Sequence, residues 1–404
     1  VARLMTDTDQ GPDPIVIAGG GIGGLCAAIA LRRQGHEVVL LERADEISEV
    51  GAGLQLSPNA CAVLNELGVL EALEPFAHAP DCLRIWSGKS GRQVARVELG
   101  SFIRERHKNP FWVIHRADLQ RVLLEKAQST PGITIRLSCD VKDLTATPYD
   151  QLVCIYREND RIENLTCKAL IGADGVWSRT RQHIPGHKKA RFSGQVAYRA
   201  TVPIEQVDPK YARDTGLWLH RDCHLVHYPI RGGSQLNIVV LAKEDWEDQT
   251  WSAEADKETV VRVFKDWPAE TRNLLNAPQQ WLKWALCSVE ASGPWSHGNI
   301  ALIGDAAHAM LPFMAQGAAM AIEDAAILAK HLPGDVDNIP AALRAFERER
   351  KPRAARIQGI SFGNARTFHF SGPMAFARDA VLRLTKPRKL AERFDHIYGW
   401  TPDQ

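Results

Sequence analysis

The apolar residues near the start of the chain form two short uninterrupted runs on either side of a segment with helical spacing. Residues 14–18 and 38–41 are apolar throughout, a pattern that predicts buried parallel strands. Residues 25–34 between them have helical periodicity and are closed by Gly35. This order of strand, helix and strand is typical of the opening unit of a dinucleotide-binding fold.

The remaining chain alternates between helical and strand-like patterns. Helices are predicted from Ser57 to residue 67, at 117–128, at 317–331 and over most of the chain after residue 340, and residues 133–172 and 299–303 have strand patterns. Segments rich in β-branched and aromatic residues at 196–202, 217–220, 224–230 and 236–241 predict a separate antiparallel sheet.

These elements predict an α/β chain whose nucleotide-binding domain is formed by separated segments. We expect residues 13–190 and 288–345 to form that domain, and residues 191–287 to form an inserted antiparallel-sheet domain that binds the substrate. Residues 346–404 are expected to be a C-terminal helical region, and the polar residues 1–12 a disordered N-terminus.

A glycine-rich turn joins the first strand to the first helix. Gly19, Gly21 and Gly24 satisfy the G-x-G-x-x-G pattern, in which glycines allow a tight turn, close approach of a pyrophosphate and close packing of helix on strand. Glu42 ends the second strand, where its carboxylate is placed to accept hydrogen bonds from a ribose. The loop predicts a dinucleotide but does not distinguish FAD from NAD.

Composition narrows the functional classes. The net charge of +1 provides no strong field of one sign that would draw the chain to nucleic acid or to an anionic membrane. The eight cysteines include no C-x-x-C pair, which disfavours a zinc site or a disulfide framework and is typical of a reducing compartment. No apolar run approaches the roughly 20 residues that a membrane helix needs. We therefore expect a cytoplasmic protein with no metal, nucleic-acid partner or membrane partner.

Two later motifs bear on the choice of cofactor. They are Gly-Ala-Asp-Gly at 172–175 followed by Ser178 and Arg181, and Gly304-Asp305 followed by Ala-Ala-His-Ala-Met-Leu-Pro and then Gln316-Gly-Ala. With the glycine loop, they resemble the three fingerprints of the flavoprotein aromatic hydroxylases, the p-hydroxybenzoate hydroxylase superfamily. In its length and its single glycine-loop unit, the chain is most similar to three members of this group: salicylate hydroxylase, 3-hydroxybenzoate 6-hydroxylase and 6-hydroxynicotinate 3-hydroxylase.

This resemblance implies a Rossmann-like FAD-binding domain of the glutathione-reductase type and an FAD-dependent aromatic-ring monooxygenase. The single loop would hold FAD non-covalently, and NADH or NADPH would bind transiently as co-substrate. A hydroperoxide on flavin C4a would transfer oxygen from O2 to a small aromatic acid, such as a hydroxybenzoate. We also expect a homodimer.

By the same resemblance, cofactor contacts are spread over the whole nucleotide-binding domain. The expected FAD-binding residues are Gly19, Gly21, Gly24, Glu42, Arg43, Arg116, Gln120, Asp174, Asp305, Gly317 and Ala318. Asp305 is expected to accept hydrogen bonds from ribityl hydroxyls, and the helix beginning near Gly317 to direct N–H groups at the flavin pyrimidine edge. For Asp174, capping of the following helix remains an equal alternative to cofactor contact.

The expected catalytic residues are His224, Tyr228 and Gln316. Strand alternation directs His224 and Tyr228 to one face and His227 to the other. The resemblance places His224 over the substrate ring, where a base would convert a phenol to the more nucleophilic phenolate. The Gln316 amide would orient a hydroxyl or carboxylate. Structural packing remains the alternative for each of the three, whereas His308 is expected to be structural.

Other functions explain less of the sequence. A flavin oxidoreductase of the same fold acting on an isoprenoid or quinone would share all three motifs but would favour an apolar tunnel over His224 and Gln316. A hydroxylase of a hydroxylated pyridine carboxylate also remains open. An NAD-dependent dehydrogenase leaves the two later motifs unexplained, and a flavin-binding sensor would show no ligand-stimulated oxygen uptake.

Overall fold

A computed structural model describes residues 13–47, 53–146, 152–246 and 252–403 of the chain, so the predicted disordered N-terminus, residues 1–12, lies outside the described residues. The strands within the described residues are β1 (Ile15–Ala18), β2 (Val38–Leu41), β3 (Gly53–Leu56), β4 (Cys82–Ser87), β5 (Gln93–Glu98), β6 (Trp112–His115), β7 (Ile133–Arg136), β8 (Cys139–Ala146), β9 (Leu152–Glu158), β10 (Arg161–Cys167), β11 (Ala169–Gly172), β12 (Arg191–Pro203), β13 (Thr215–His220), β14 (Cys223–Ile230), β15 (Gln235–Lys243), β16 (Ser252–Ala255), β17 (Trp281–Ser288), β18 (Ser296–His297) and β19 (Ile300–Leu302).

The helices within the same ranges connect or cover these strands. They are α1 (Ile22–Arg33), α2 (Pro58–Glu66), α3 (Leu70–Leu73), α4 (Gly100–His107), α5 (Arg116–Gln128), α6 (Lys257–Val263), α7 (Ala269–Asn276), α8 (Asp305–His308), α9 (Gly317–His331), α10 (Ile339–Phe368), α11 (Gly372–Leu384), α12 (Pro387–Glu392) and α13 (Asp395–Tyr398). In the described part of the chain, no helix is both long and apolar enough to cross a membrane.

The nucleotide-binding domain is built on a sheet in the order β18-β19-β11-β1-β2-β7. All neighbours in it are parallel except β18 and β19, and β1, β2 and β11 are buried along their whole lengths. Helices α1, α5 and α9 pack beside one another in this domain, which explains why its strands carry continuous apolar runs instead of alternating patterns. The prediction of a Rossmann-like α/β fold is confirmed.

The predicted inserted sheet is larger than its expected boundaries. Its eight strands run in the order β16-β17-β12-β15-β14-β13-β4-β5. Strands β4 and β5 come from residues 82–98, which we assigned to the nucleotide-binding domain, and β4 joins the sheet by parallel pairing with β13. The expected sheet boundary at residue 191 is therefore wrong for these two strands, because pairing between strands far apart in sequence leaves no local signal.

The second boundary correction concerns the C-terminal helices. Helix α10 is continuous from residue 339 to 368, so the expected boundary between residues 345 and 346 falls inside it. The same helix lies against α9 and against β18 of the parallel sheet. The C-terminal region is helical as predicted, but it begins as part of the core and not as a separate unit.

A buried ion network joins α9 to α10. Arg350 donates to Glu323 at 2.7 Å and to Asp324 at 2.8 Å, and all three side chains are at most 1% exposed. Asp324 also contacts His308 at 2.6 Å and accepts from the Gly304 N–H at 2.8 Å. Burial alone would raise the pKa of Asp324, but His308 and Arg350 lower it to about 2. His308 is therefore structural, as predicted.

We predict that Arg350→Met destabilises the fold. Removing the cation leaves two buried carboxylates with fewer partners, and breaking a buried ion pair costs about 3–5 kcal/mol. We expect a loss of about 3 kcal/mol, at the lower end of that range, because Arg353 still binds Glu323 and His308 still binds Asp324. Thermal and denaturant unfolding of the FAD-loaded protein would measure the loss.

The matched control is Arg388→Met, which removes the partly exposed Arg388–Glu98 pair. Such pairs contribute at most about 1 kcal/mol, so this variant should unfold close to the parent. Equal unfolding midpoints for the two variants would contradict the importance of the buried network.

Candidate active site

The glycine loop between β1 and α1 has the close contacts expected of a phosphate-binding turn. Gly19 has φ +110°, a conformation that favours glycine, and a Cβ on Gly24 would lie 2.0 Å from the Gly19 carbonyl oxygen. At Gly21, by contrast, a Cβ would have no neighbouring atom of the described residues within 4 Å. No side chain caps the N-terminus of α1. The loop therefore combines a tight turn with open space in front of helix N–H groups.

Two predicted cofactor residues contact this loop directly. Glu42 accepts hydrogen bonds from the Gly20 N–H at 2.6 Å and from the Ala44 N–H at 2.9 Å. Gln120 is buried and donates to the Gly20 carbonyl at 3.2 Å. These bonds fix the end of β2 and helix α5 against the glycine turn, so the loop, Glu42 and Gln120 form one unit.

Two basic side chains flank that unit. Arg43 follows Glu42 on the exposed surface, and Arg116 is the first residue of α5. Both residues lie in segments that are hydrogen-bonded to the loop through Glu42 and Gln120, and contacts of their guanidinium groups with an anionic dinucleotide stay a prediction.

Asp174 lies next to the loop but uses one oxygen to cap a turn. The Asp174 Oδ2 atom accepts from the N–H groups of Arg179 and Thr180, at 2.8 and 3.0 Å, and from the Thr180 hydroxyl at 3.1 Å. Its Oδ1 atom is buried without a hydrogen-bond partner in the described structure. The capping alternative therefore describes Oδ2, and a cofactor contact through Oδ1 stays a prediction.

The third motif places a carboxylate and a helix start near the same loop. Asp305 begins α8 and its side chain is exposed. Gly304 and Gly23 both lie close to Ala321 of α9, since a Cβ on them would be 3.0 and 3.2 Å from the Ala321 Cβ. Helix α9 begins at Gly317 and Ala318 without a side-chain cap. The start of α9, Asp305 and the glycine loop thus converge at one edge of the parallel sheet.

These features fit FAD. The open space at Gly21 and the uncapped start of α1 suit a pyrophosphate, Glu42 suits a ribose, and exposed Asp305 suits ribityl hydroxyls. The uncapped N–H groups of α9 suit an electron-rich ring edge. The residues present therefore match the chemistry of the cofactor along its whole length.

His224 lies on β14, on the sheet face that meets the third motif. Its side chain is 2% exposed, and its ring centroid is 5.0 Å from that of Phe313, which shortly precedes α9. Burial, followed by the neighbouring His369, holds the pKa of His224 well below its usual value. The imidazole is therefore neutral at cellular pH and has a nitrogen that can accept a proton.

Tyr228 lies on the same face of β14 as His224 and Val226, because alternate residues of a strand point to the same side. It is buried, and a Cβ on Gly53 would lie 2.4 Å from its ring. Burial raises the pKa of Tyr228, although Arg199 opposes the shift, so its hydroxyl remains protonated and can donate. The close approach shows that β3, which pairs with β6 in a two-stranded sheet, meets β14 of the eight-stranded sheet.

Arg199 on β12 was missed in the sequence analysis. Its guanidinium lies 4.4 Å from the centre of the Trp284 ring, and Arg199 pairs across the sheet with Val239, which itself pairs with Val226. The alternation of side chains along residues 196–202 predicts which residues share a face with Arg199. Which of the two faces meets the cofactor depends on how the sheets pack, and the sequence does not show this. The site thus contains a cation that the sequence motifs did not reveal.

His227 points to the opposite face, as strand alternation predicts. It is 3% exposed, lies edge-on to Tyr211 at 4.8 Å and has no hydrogen-bond partner for either ring nitrogen in the described structure. Burial lowers its pKa to about 3. His227 is therefore a packed core residue away from the candidate site.

Gln316 is buried and takes part in side-chain hydrogen bonds to residues 57 and 59. Its amide donates to the Ser57 hydroxyl at 2.9 Å and accepts from the Asn59 side chain at 3.2 Å, and Asn59 also donates to Glu323. These bonds hold the turn before α9 against α2, and because an amide has a second N–H and a second acceptor lone pair, its expected role toward the substrate stays a prediction. The sequence motif predicts the position of Gln316 directly before α9, but its hydrogen-bond partners, Ser57 and Asn59, lie in a distant segment of the chain.

The loop after Asp305 is held by polar side chains of α10. Gln358 donates to the carbonyls of Val289 and Ala309 at 2.8 and 3.1 Å, and Ser361 donates to the Leu311 carbonyl at 2.6 Å. These bonds satisfy buried backbone groups that no regular element pairs. Helix α10 therefore fixes the loop that carries Phe313 toward His224, a role for which no sequence motif gave a signal.

Comparison with known proteins agrees with this arrangement. The family model described as "FAD binding domain" matches residues 13–360. The chain is 37% identical to the 3-hydroxybenzoate 6-hydroxylase of Polaromonas naphthalenivorans, with 96% of each chain covered. It is 36% identical to the enzyme of the same name from Klebsiella oxytoca, covering 96% of this chain and 97% of that one.

Solved structures agree with the fold. A salicylate hydroxylase substrate complex superposes with a TM-score of 0.81 at 24% identity, covering 97% of this chain and 96% of that one. Klebsiella pneumoniae HpxO, complexed with FAD and uric acid, superposes with a TM-score of 0.83 at 23% identity, covering 96% of this chain and 97% of that one. The predictions of FAD as cofactor and of an FAD-dependent enzyme are confirmed by the family match. The chain belongs to the FAD binding domain family, among the flavoprotein aromatic hydroxylases.

Proposed function

We propose that this enzyme uses NAD(P)H and O2 to hydroxylate a phenolic acid, with 3-hydroxybenzoate as the first candidate. The observation that carries the proposal is the placement of a neutral buried imidazole, a tyrosine hydroxyl and a guanidinium on one sheet face beside the cofactor loops. The similarity to two 3-hydroxybenzoate 6-hydroxylases over nearly the whole chain supports the choice of substrate.

The protein's own residues provide binding and proton transfer. Bound FAD, once reduced, would supply activated oxygen. His224 accepts the phenol proton, because a phenol with a pKa of about 10 reacts far better as phenolate. Aromatic and aliphatic neighbours of His224, among them Phe313, Phe368 and Leu241, exclude water around this transfer.

The carboxylate of the substrate needs a separate partner. Arg199 offers a cation stacked on Trp284, and the protonated Tyr228 hydroxyl offers a neutral donor on the same face. A carboxylate that binds a guanidinium and a hydroxyl would hold the ring in one orientation. Gln316 would orient a hydroxyl or carboxylate of the substrate with the hydrogen-bonding capacity that its bonds to Ser57 and Asn59 leave free.

Two further properties belong to this proposal. All eight cysteines are free thiols and seven are buried, which supports a cytoplasmic enzyme. Helix α11 exposes Met374, Phe376, Val381 and Leu384, between 54% and 86%, and exposed apolar residues of this kind support a homodimer.

We predict that 3-hydroxybenzoate stimulates NAD(P)H oxidation and yields a product heavier by one oxygen atom. A panel of hydroxybenzoates, a hydroxylated pyridine carboxylate and an isoprenoid quinone, each followed by oxygen uptake and mass spectrometry, would identify the substrate class. Stimulation by the quinone alone would overturn the proposal in favour of an oxidoreductase with an apolar substrate.

We predict that Asp305→Ala retains FAD poorly. The carboxylate is expected to accept from ribityl hydroxyls, and a hydrogen bond to a charged group contributes roughly 1.5–3 kcal/mol, or about ten- to a hundredfold in affinity. The FAD content of the purified protein and the dissociation constant of re-added FAD would measure this loss. Asp335→Ala, at another exposed aspartate, is the control, and equal FAD affinity in both variants would remove Asp305 from the cofactor site.

We predict that His224→Ala reduces FAD as the parent does but hydroxylates poorly. Loss of a general base typically costs a hundred- to ten-thousandfold, and oxygen consumed without hydroxylation should appear as hydrogen peroxide. Product formed per NAD(P)H oxidised, compared with the parent and with His227→Leu, is the deciding measurement. An unchanged ratio in His224→Ala would exclude His224 from the mechanism.

A further inference from the structure

A second histidine contacts His224 from the C-terminal region. The Nδ1 atom of His224 and the Nε2 atom of His369 are 2.9 Å apart, and the two ring centroids are 5.2 Å apart. At this distance one nitrogen must carry the proton and the other must accept it. The contact commits Nδ1 of His224, so Nε2 is the nitrogen left to meet a substrate.

His369 is placed by the end of one helix and the start of the next. It follows the last residue of α10, and Arg378 of α11 donates to the carbonyls of Thr367 and Phe368 at 3.1 and 2.8 Å. Arg378 is itself paired with Asp379. The backbone before His369 is thus held in place by α11.

The surroundings keep both rings neutral. Burial lowers the pKa of His369 to about 4, with Asp222 acting against the shift and Lys243 and Arg378 adding to it. The titratable neighbour of His224 is His369. The pKa of His224 is also lowered, mainly by burial. Neither imidazole is charged at neutral pH, so their contact is a hydrogen bond between neutral rings.

We propose that His369 is a positioning residue, which accepts the Nδ1–H of His224 and so fixes the tautomer in which Nε2 can take a proton. The inference rests on His224 acting as the base of the proposed function. With the proton held on Nδ1, the lone pair of Nε2 faces the phenol. When Nε2 takes the phenol proton, the Nδ1–H keeps its hydrogen bond to the neutral His369 acceptor, so the ring stays in the same orientation.

Packing alone does not account for this pair. Phe313 and Phe368 already surround the two rings, and an apolar residue at position 369 would complete that cluster without a polar atom. A buried polar ring costs free energy unless it is hydrogen-bonded, and His369 supplies the bond that His224 needs. The hydrogen bond, and not the volume, distinguishes histidine from phenylalanine here.

Two variants separate these roles. His369→Phe keeps an aromatic ring among the phenylalanines but removes the acceptor. His369→Gln places an amide oxygen where it can accept from His224 Nδ1. His331→Gln, at a partly buried histidine paired with Glu349, is the control for a histidine change elsewhere.

In steady-state and single-turnover assays, His369→Phe should lower the rate of hydroxylation on the order of tenfold, which corresponds to the loss of one hydrogen bond of about 1.4 kcal/mol. KM for the aromatic acid and the rate of flavin reduction should change little, and peroxide release should rise. His369→Gln should recover most of the hydroxylation rate. The proposal would be overturned if His369→Phe hydroxylated as fast as the parent and formed as much product per NAD(P)H. It would also be overturned if His369→Gln hydroxylated as slowly as His369→Phe.

A spectroscopic readout is independent of turnover. With FAD-loaded protein labelled with 15N in histidine, the ring of His224, assigned from the His224→Ala variant, should show a protonated Nδ1 and an unprotonated Nε2. The same signals should move toward the other tautomer in His369→Phe and stay in His369→Gln. If hydroxybenzoates prove not to be substrates, this spectrum still decides whether His369 sets the tautomer, and an Nε2-protonated ring in the parent would refute it.

Discussion

The buried contact of Arg350 with Glu323 and Asp324 is the interaction on which most of the active-site geometry depends. Glu323 holds Asn59, which holds Gln316 before α9, and Asp324 holds His308 and the backbone of the Asp305 turn. Charges this deeply buried must be paired, so these carboxylates fix the positions of their partners. One network thereby positions the starts of α8 and α9, the segments expected to border the flavin ring.

Helix α10 connects this ion network to the pair of histidines, His224 and His369. It carries Arg350 near its middle and ends just before His369, a separation of about 28 Å at the usual helical rise. Between these points Gln358 and Ser361 hold the loop that follows Asp305. A single rigid element therefore sets the distance between the cofactor motif and the histidine pair, although the family motifs lie elsewhere.

The chemistry of the site follows from burial. A histidine in water is partly protonated near neutral pH, whereas the buried His224 is held neutral and can act as an acceptor. The tyrosine hydroxyl on the same face is held protonated by the same physical cause. Desolvation thus leaves a proton acceptor and a proton donor on two residues that are close on one strand.

The sequence by itself determined the glycine loop, Glu42, the Asp305 turn and the face of β14 that carries His224, because each depends on local spacing or strand alternation. Tertiary structure alone decided that β4 and β5 join the large sheet, that Gln316 binds Ser57 and that His369 meets His224. Those pairs are separated by more than a hundred residues, and no periodicity encodes which distant segment arrives. Local geometry was predictable, whereas the partners of each polar group required the fold.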